Sequence, residues 1–234
     1  METDEQLIAA TAQANQALAA SGQSDMVWGH ASLRDPQNRG VWMKAAGWSF
    51  GEVTSDRVAL LSPEGEVRAG NGPRHIEYPI HTEVMLARPD VGCVVHTHAP
   101  AACAFAALDQ PLLALSHDGV EFADPPVGRF TPTGSLISSA DLGKALAEAI
   151  GDGNGCLLPR HGLVTVGPDP ARAVMRAVLL ARACQVQLQA LAAGEIRTWS
   201  DPAEIALKQA EVWPESQYNA GYAYLCRQAA AASV

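Results

Sequence analysis

The 234-residue sequence has no apolar run approaching the roughly 18 residues of a membrane-crossing helix, so no span is expected. It has no block of lysine or arginine either. Lys and Arg number 16 against 25 Asp and Glu, for a net charge of −9. Nucleic acid and anionic membrane are therefore poor partners. An anionic small molecule would need local positive charge, from a metal or a placed arginine. Cysteines are few and odd in number (Cys93, Cys103, Cys156, Cys184 and Cys226), with no C-x-x-C. Most lie in apolar runs, where a thiol behaves as a small hydrophobe. They read as reduced core residues of a cytosolic protein. The first residues, Met-Glu-Thr-Asp-Glu, are acidic and do not resemble a signal or transit peptide.

What is present is a globular profile, 48% hydrophobic and 18% charged. The length fits one large domain over 1–234, with 200–234 as a helical, aromatic tail. Helical spacing predicts helices over Asp4–Ala20, Ile76–Ala87, Ala99–Leu108, from Ser139 to about Ile150, and from Asp169-Pro170 to about Ala193. Another opens at Asp201-Pro202. Strands are predicted over Met26–Arg34 (interrupted at Gly29), Val41–Lys44, Val58–Leu61, Glu66–Arg68, Val91–His98, Pro111–Leu115, Cys156–Leu158 and Gly162–Val166. Ser116–Gly119 and Gly128–Gly134 read as loops. Helices and short strands alternate without a regular βαβ rhythm, which argues for one mixed sheet flanked by helices.

Chemistry concentrates in Val91-Gly-Cys-Val-Val-His-Thr-His98. Strand residues repeat every two positions, so His96 and His98 point to one face and make half of a metal site. His161, at a break between two apolar segments, is the candidate third ligand. Three neutral imidazoles leave a coordination position open, as a catalytic metal requires. Glu77 shares a predicted helical face with His81 at i+4. It reads either as a solvated acid at a helix start or as a carboxylate beside the metal.

The combination of Glu77-x-x-x-His81, Ala87-Arg-Pro-Asp-Val91, Val94-Val-His-Thr-His98 and His161-Gly162 resembles the class II aldolase/adducin family, over about residues 5–225. The resemblance implies a three-layer α/β/α sandwich around a mixed, largely antiparallel sheet. It implies a divalent metal on His96, His98 and His161 (zinc or manganese, with cobalt or iron also possible) and Glu77 as labile ligand or general acid/base. It also implies a homotetramer with sites near subunit interfaces. The adducin branch lacks a working site, so the intact triad argues against a purely structural role.

Departures from the family's sugar-phosphate aldolases bear on the substrate. Those enzymes carry Gly-Asn where this chain has Gly29-His30, and Ser-Ser before the glutamate where this chain has His75-Ile76, preceded by Arg74. Ala46-Gly47-Trp48 occupies the region of their Thr-Gly phosphate loop. Gly29-His-Ala-Ser-Leu-Arg-Asp-Pro36 resembles instead the branch that decarboxylates hydroxylated aromatic acids. Arg74, His30, His75, Gly29, His117 and Tyr218 are the candidate substrate contacts, the last reaching a neighbouring subunit. Trp28, Trp42, Trp48 and Phe50 line an aromatic pocket or pack in the core. The expected function is therefore a metal-dependent lyase decarboxylating a hydroxylated aromatic or heteroaromatic acid. An aldolase, dehydratase or epimerase on a small hydroxy-carbonyl compound is the alternative, and a non-catalytic interaction module is a distant third.

Overall fold

The computed structural model of the protein describes residues 2–232. Its strands are β1 (His30–Arg34), β2 (Val41–Lys44), β3 (Val58–Leu61), β4 (Val67–Gly70), β5 (Cys93–Thr97), β6 (Gly128–Arg129), β7 (Gly155–Leu158) and β8 (Gly162–Gly167). They form one sheet in the order β4-β3-β2-β1-β5-β8-β7-β6, antiparallel throughout except for the β6/β7 pair. The helices are α1 (Asp4–Ala20), α2 (Pro79–Ala87), α3 (Pro100–Ala106), α4 (His117–Val120), α5 (Ala140–Ile150), α6 (Pro170–Ala193), α7 (Pro202–Val212) and α8 (Glu215–Ala232).

Alternation along the central strands builds two cores. Cys93 and Val95 of β5, with Leu163 of β8, face α1, α3, α6 and α8. Val94 of β5, with Val164 and Val166 of β8, faces α2 and α5. The result is the α/β/α sandwich around a mixed, largely antiparallel sheet. Burying each such Leu or Val contributes about 2 kcal/mol, so the central strands are stabilised from both sides. The helix boundaries follow their caps. Thr3 and Gln6 form a capping box on α1, Ser139 caps α5, and Asp169 with Pro170 opens α6.

Several sequence expectations are corrected. The first strand begins at His30, not Met26: Trp28 N–H donates to the Asp25 carbonyl at 3.0 Å, and Met26 and Gly29 have φ of 46° and 27°. That is a tight turn, which alternation cannot reveal. The helix expected from Ile76 begins at Pro79, because proline has no N–H with which to extend the hydrogen-bond ladder upstream. Glu77 therefore lies in the turn before the helix. The segment 111–115 is not a strand. Gln187 of α6 clamps it, accepting from Leu113 N–H at 2.7 Å and donating to the Pro111 carbonyl at 2.9 Å. Residues 117–120 form the short helix α4 rather than loop, and the segment from Gly128 opens with the two-residue strand β6.

Candidate metal centre and its pocket

All of the histidines except His117 lie in one cluster. The sheet register explains most of it. His96 sits in β5 directly opposite His30 of β1 and Val164 of β8. His98 follows one residue past the end of β5. His161 closes the turn between β7 and β8, and Gly162 after it lets β8 lie against β5. A Cβ at Gly162 would stand 2.4 Å from the Thr97 carbonyl oxygen. The rings of His96 and His161 are 4.9 Å apart, and those of His98 and His161 are 5.3 Å apart.

Nδ1 partners fix the tautomers of His96 and His98. His96 Nδ1–H donates to the Leu163 carbonyl at 2.9 Å, and His98 Nδ1–H donates to Asp25 Oδ2 at 2.6 Å. Both acceptors can only accept. The two Nε2 atoms are therefore left as lone pairs, and they face each other at 3.0 Å. Two lone pairs at that distance repel unless a cation lies between them. Glu77 completes the set, its carboxylate 3.8 Å from His96 Nε2 and 3.5 Å from His161 Nε2. Ligand atoms of His96, His98 and His161 lie within 4.8 Å of one another, as do those of His30, Glu77 and His96. These residues fit a divalent cation: three imidazoles, two of them oriented through their Nδ1–H groups, and one adjacent carboxylate.

Electrostatics agrees with that donor set. Burial alone would raise the Glu77 carboxyl, but His161, His96 and the Ile137 N–H, which donates to Oε1 at 2.8 Å, together hold it down at about 2. Burial drives His96 and His30 well below the usual histidine range. Burial, then the charge of Lys44, lowers His75 to about 3, while burial and then the charge of His75 lower His81 to about 3. Burial thus keeps His30, His75, His81 and His96 neutral beside one ionised carboxylate.

Behind the cluster, His30 Nδ1 is 2.7 Å from His81 Nε2, and His81 Nδ1 is 2.7 Å from Ser32 Oγ. This chain fixes the orientation of the His30 ring. In front is a cavity of about 400 Å³. His30, His75, Glu77, His98 and His161 form its polar floor; Trp28, Gly29, Ile76 and Leu136 form its walls. Gly29 is required there, since a Cβ would meet the Phe50 ring at 2.8 Å. The wall residues are unusually bare, with Trp28 53%, Ile76 58% and Leu136 48% exposed. No Lys or Arg side chain is among the described residues lining the cavity.

Other expected contacts stand elsewhere. Arg74 is exposed and stacks on the Tyr78 ring, its guanidinium carbon 4.7 Å from the centroid. His117 is exposed on α4, where its carbonyl accepts from the Trp213 indole at 2.8 Å. Tyr218 is buried in its own chain's core, beneath the Arg172 guanidinium at 5.4 Å. That burial leaves its side chain no reach toward a neighbour. Of the aromatic candidates only Trp28 lines the cavity. Trp42 and Phe50 are core residues, and Trp48 lies under Arg57 at 3.5 Å.

Sequence reasoning missed Asp25, Leu136 and Lys44. Asp25 lies 73 positions from the His98 it binds, and Asp25 and Leu136 both sit in aperiodic loops, so no spacing rule marks them. Lys44 ends the strand expected over Val41–Lys44 and is 1% exposed, donating to the carbonyls of Val27 and Trp48. Asp25→Ala is expected to weaken metal retention by about 10- to 100-fold without unfolding the protein, because it orients His98 rather than binding directly. Competitive chelation, read by metal content after dialysis, checks this; unchanged retention contradicts it. Burial lowers the Lys44 ammonium to about 8. The unfolded chain, at 10.5, then holds the extra proton between those values, so this group's contribution to stability rises with pH across that window. Relative to Lys44→Met, the wild type should gain up to about 3 kcal/mol between roughly pH 7 and pH 10, measured by denaturant unfolding. A difference that does not change with pH contradicts the assignment.

The fold and this site can be set beside known proteins. Residues 9–188 match the family described as the Class II Aldolase and Adducin N-terminal domain. The chain belongs to the class II aldolase and adducin family. An L-fuculose 1-phosphate aldolase from Glaciozyma antarctica PI12 superposes with a TM-score of 0.83 at 27% identity, over 96% of this chain and 88% of that one. A 3,4-dihydroxyphthalate decarboxylase from Arthrobacter keyseri is 31% identical over 204 residues, 79% of each chain. The meiotically up-regulated gene 14 protein of Schizosaccharomyces pombe is 29% identical over 171 residues, 72% of this chain but 66% of that protein.

Proposed function

We propose that this chain is a divalent-metal-dependent lyase that decarboxylates a hydroxylated aromatic or heteroaromatic carboxylic acid. The observation that carries this reading is the character of the cavity. Beside the histidines and Glu77, its walls are Trp28, Ile76 and Leu136. Flat apolar walls suit an aromatic ring. They offer no hydroxyl cradle for a phosphate, since His75 and Ile76 stand immediately before Glu77. The similarity to a 3,4-dihydroxyphthalate decarboxylase supports the same reading.

His96, His98 and His161 would hold the cation, with Glu77 adjacent. Zinc and manganese suit this set, as do cobalt and iron. Bound there, the cation would supply Lewis acidity for the charge left on the ring when CO2 departs. Glu77, ionised at neutral pH, first takes the proton of the substrate hydroxyl. The carboxyl–ring bond breaks with its electron pair remaining on the ring carbon. Glu77 then returns the proton to that carbon, and the product hydroxyl recovers a proton from solvent. His30 and His75 contact the substrate's oxygen groups; His75 Nε2 is buried with no protein partner. Trp28, Ile76 and Leu136 position the ring and keep water from the carbanion. The exposed apolar rim also supports a homo-oligomer with sites near subunit boundaries.

Aldol cleavage is the second reading, favoured by the superposition on an L-fuculose 1-phosphate aldolase. A panel of catechol-type carboxylic acids and phosphosugars, offered to the metal-loaded protein, separates the two. CO2 from an aryl acid is the expected result. Cleavage of phosphosugars alone refutes the decarboxylase.

A further inference from the structure

Lys44 carries a buried charge that the chemistry above leaves unused. It stands on β2, is 1% exposed, and is not among the residues lining the cavity. Its ammonium donates to the Val27 carbonyl at 2.8 Å and to the Trp48 carbonyl. The Phe50 ring faces it from a further side, the centroid 5.7 Å from Nζ. That ring also packs on Gly29, where a Cβ would stand 2.8 Å from it. Lys44 thus joins two loops that the chain reaches from different strands. One is the turn 25–29, which supplies Trp28 and Gly29 to the cavity and the Asp25 carboxylate to His98 Nδ1–H. The other is the loop 45–48. Its Ala46 N–H donates to the Pro73 carbonyl at 2.8 Å, two residues before His75.

Stability does not account for this charge. Burial lowers the ammonium to about 8. The unfolded chain therefore holds the proton better than the fold does, and the charge costs stability at neutral pH. What it provides is a pair of charge-assisted hydrogen bonds to loop carbonyls, stronger than neutral donors would make. We propose that Lys44 is a positioning residue: its ammonium pins the turn 25–29 to the sheet, and so sets where Trp28 stands in the cavity wall and how Asp25 holds His98. The inference concerns the site itself and holds whichever bond the enzyme breaks. The charged and titratable groups around Lys44 are Glu52 beside Phe50, His30 of β1, His75, Asp25 of the turn, and Arg57, whose guanidinium covers the Trp48 ring at 3.5 Å. Burial holds His30 and His75 well below the usual histidine range, and hydrogen bonds from Ser49 hold Glu52 below the usual carboxylate range. Those three add no titration near pH 8, and Lys44→Met is the control for any other group.

The test places 5-fluorotryptophan at all five tryptophans of the full chain and reads them by fluorine NMR without added metal. Trp28→Phe and Trp48→Phe assign the two relevant signals. Lys44→Met carries no buried charge and should fold at least as stably at pH 7. In it the Trp28 and Trp48 signals should shift by more than a linewidth, while those of Trp199 and Trp213, which flank α7, stay in place. In the wild type the Trp28 and Trp48 signals should titrate together with a midpoint near pH 8, and in Lys44→Met they should not. Zinc affinity at neutral pH, read by chelator competition, should fall by up to about tenfold in Lys44→Met. Lys44→Arg keeps the charge and the donors and should restore most of it. A Trp28 signal that Lys44→Met leaves in place, a wild-type signal that does not titrate near pH 8, or a shift shared equally by all the tryptophans overturns the proposal. Zinc affinity unchanged in Lys44→Met overturns the link from the turn to His98. CO2 release enters none of these readouts, so the proposal stands or falls apart from the decarboxylase reading.

Discussion

His96→Ala loses both the bound metal and turnover, with activity falling by roughly a thousandfold or more, since Lewis-acid stabilisation is worth several kcal/mol. The position of the residue explains the size of the effect. His96 is fully buried in β5, its Nδ1–H engaged by the Leu163 carbonyl and its Nε2 facing His98 Nε2 at 3.0 Å. Removing it deletes the central nitrogen of the donor set. It also leaves the Leu163 carbonyl without that donor, at a cost of about 1–3 kcal/mol. His98→Ala separates the two consequences, because that side chain is 20% exposed and lies just beyond the strand. It should lose metal and activity with little change in unfolding midpoint. Metal analysis and thermal unfolding of the two variants, side by side, check this. Normal metal content in either variant contradicts the ligand assignment.

Glu77→Gln is expected to lower turnover by about 10²- to 10⁴-fold, the range for loss of a positioned acid/base group. Glutamine keeps the shape and can still accept from Ile137 N–H, so the turn before α2 should persist. What it cannot do is take and return a proton. With three imidazoles still present, metal should be retained within about tenfold, as for the loss of an orienting group. The informative comparison is kcat against KM: a fall in kcat at near-constant KM fits proton transfer. A fall confined to metal occupancy, restored in full by excess metal, would make Glu77 a ligand only.

How far the sequence anticipates this site follows from which signals are periodic. His96 and His98 were placed by strand alternation, and the structure brings their Nε2 atoms together. The caps at Thr3, Ser139 and Asp169 mark α1, α5 and α6 because capping is a local property of a few residues. Alternation fails where the chain turns without a repeat. Met26–Gly29 looks like the start of β1 but is a tight turn. Segment 111–115 looks like a strand but is held by Gln187, far along the chain. Arg74, three residues before Glu77, reads from the sequence as a bidentate carboxylate contact. Its neighbour in space is Tyr78, because Pro79 sets where the helix begins and the preceding turn carries Arg74 outward. Asp25, Lys44 and Leu136 reach the site only through tertiary contacts, which no local pattern encodes. The break between two apolar segments marks His161 as the candidate third ligand, and the family resemblance implies the same ligand set together with the three-layer fold. It did not supply the cavity walls, which come from loops where spacing carries no information.

The most direct measurement is metal content and CO2 release on one preparation of the purified protein, given a panel of catechol-type carboxylic acids. The account predicts one equivalent of a divalent metal per chain, CO2 released in proportion to metal occupancy, and loss of both on chelation with recovery on adding metal back. Undiminished CO2 release from metal-stripped protein, or a fully loaded protein that cleaves phosphosugars and no aryl acid, would contradict it.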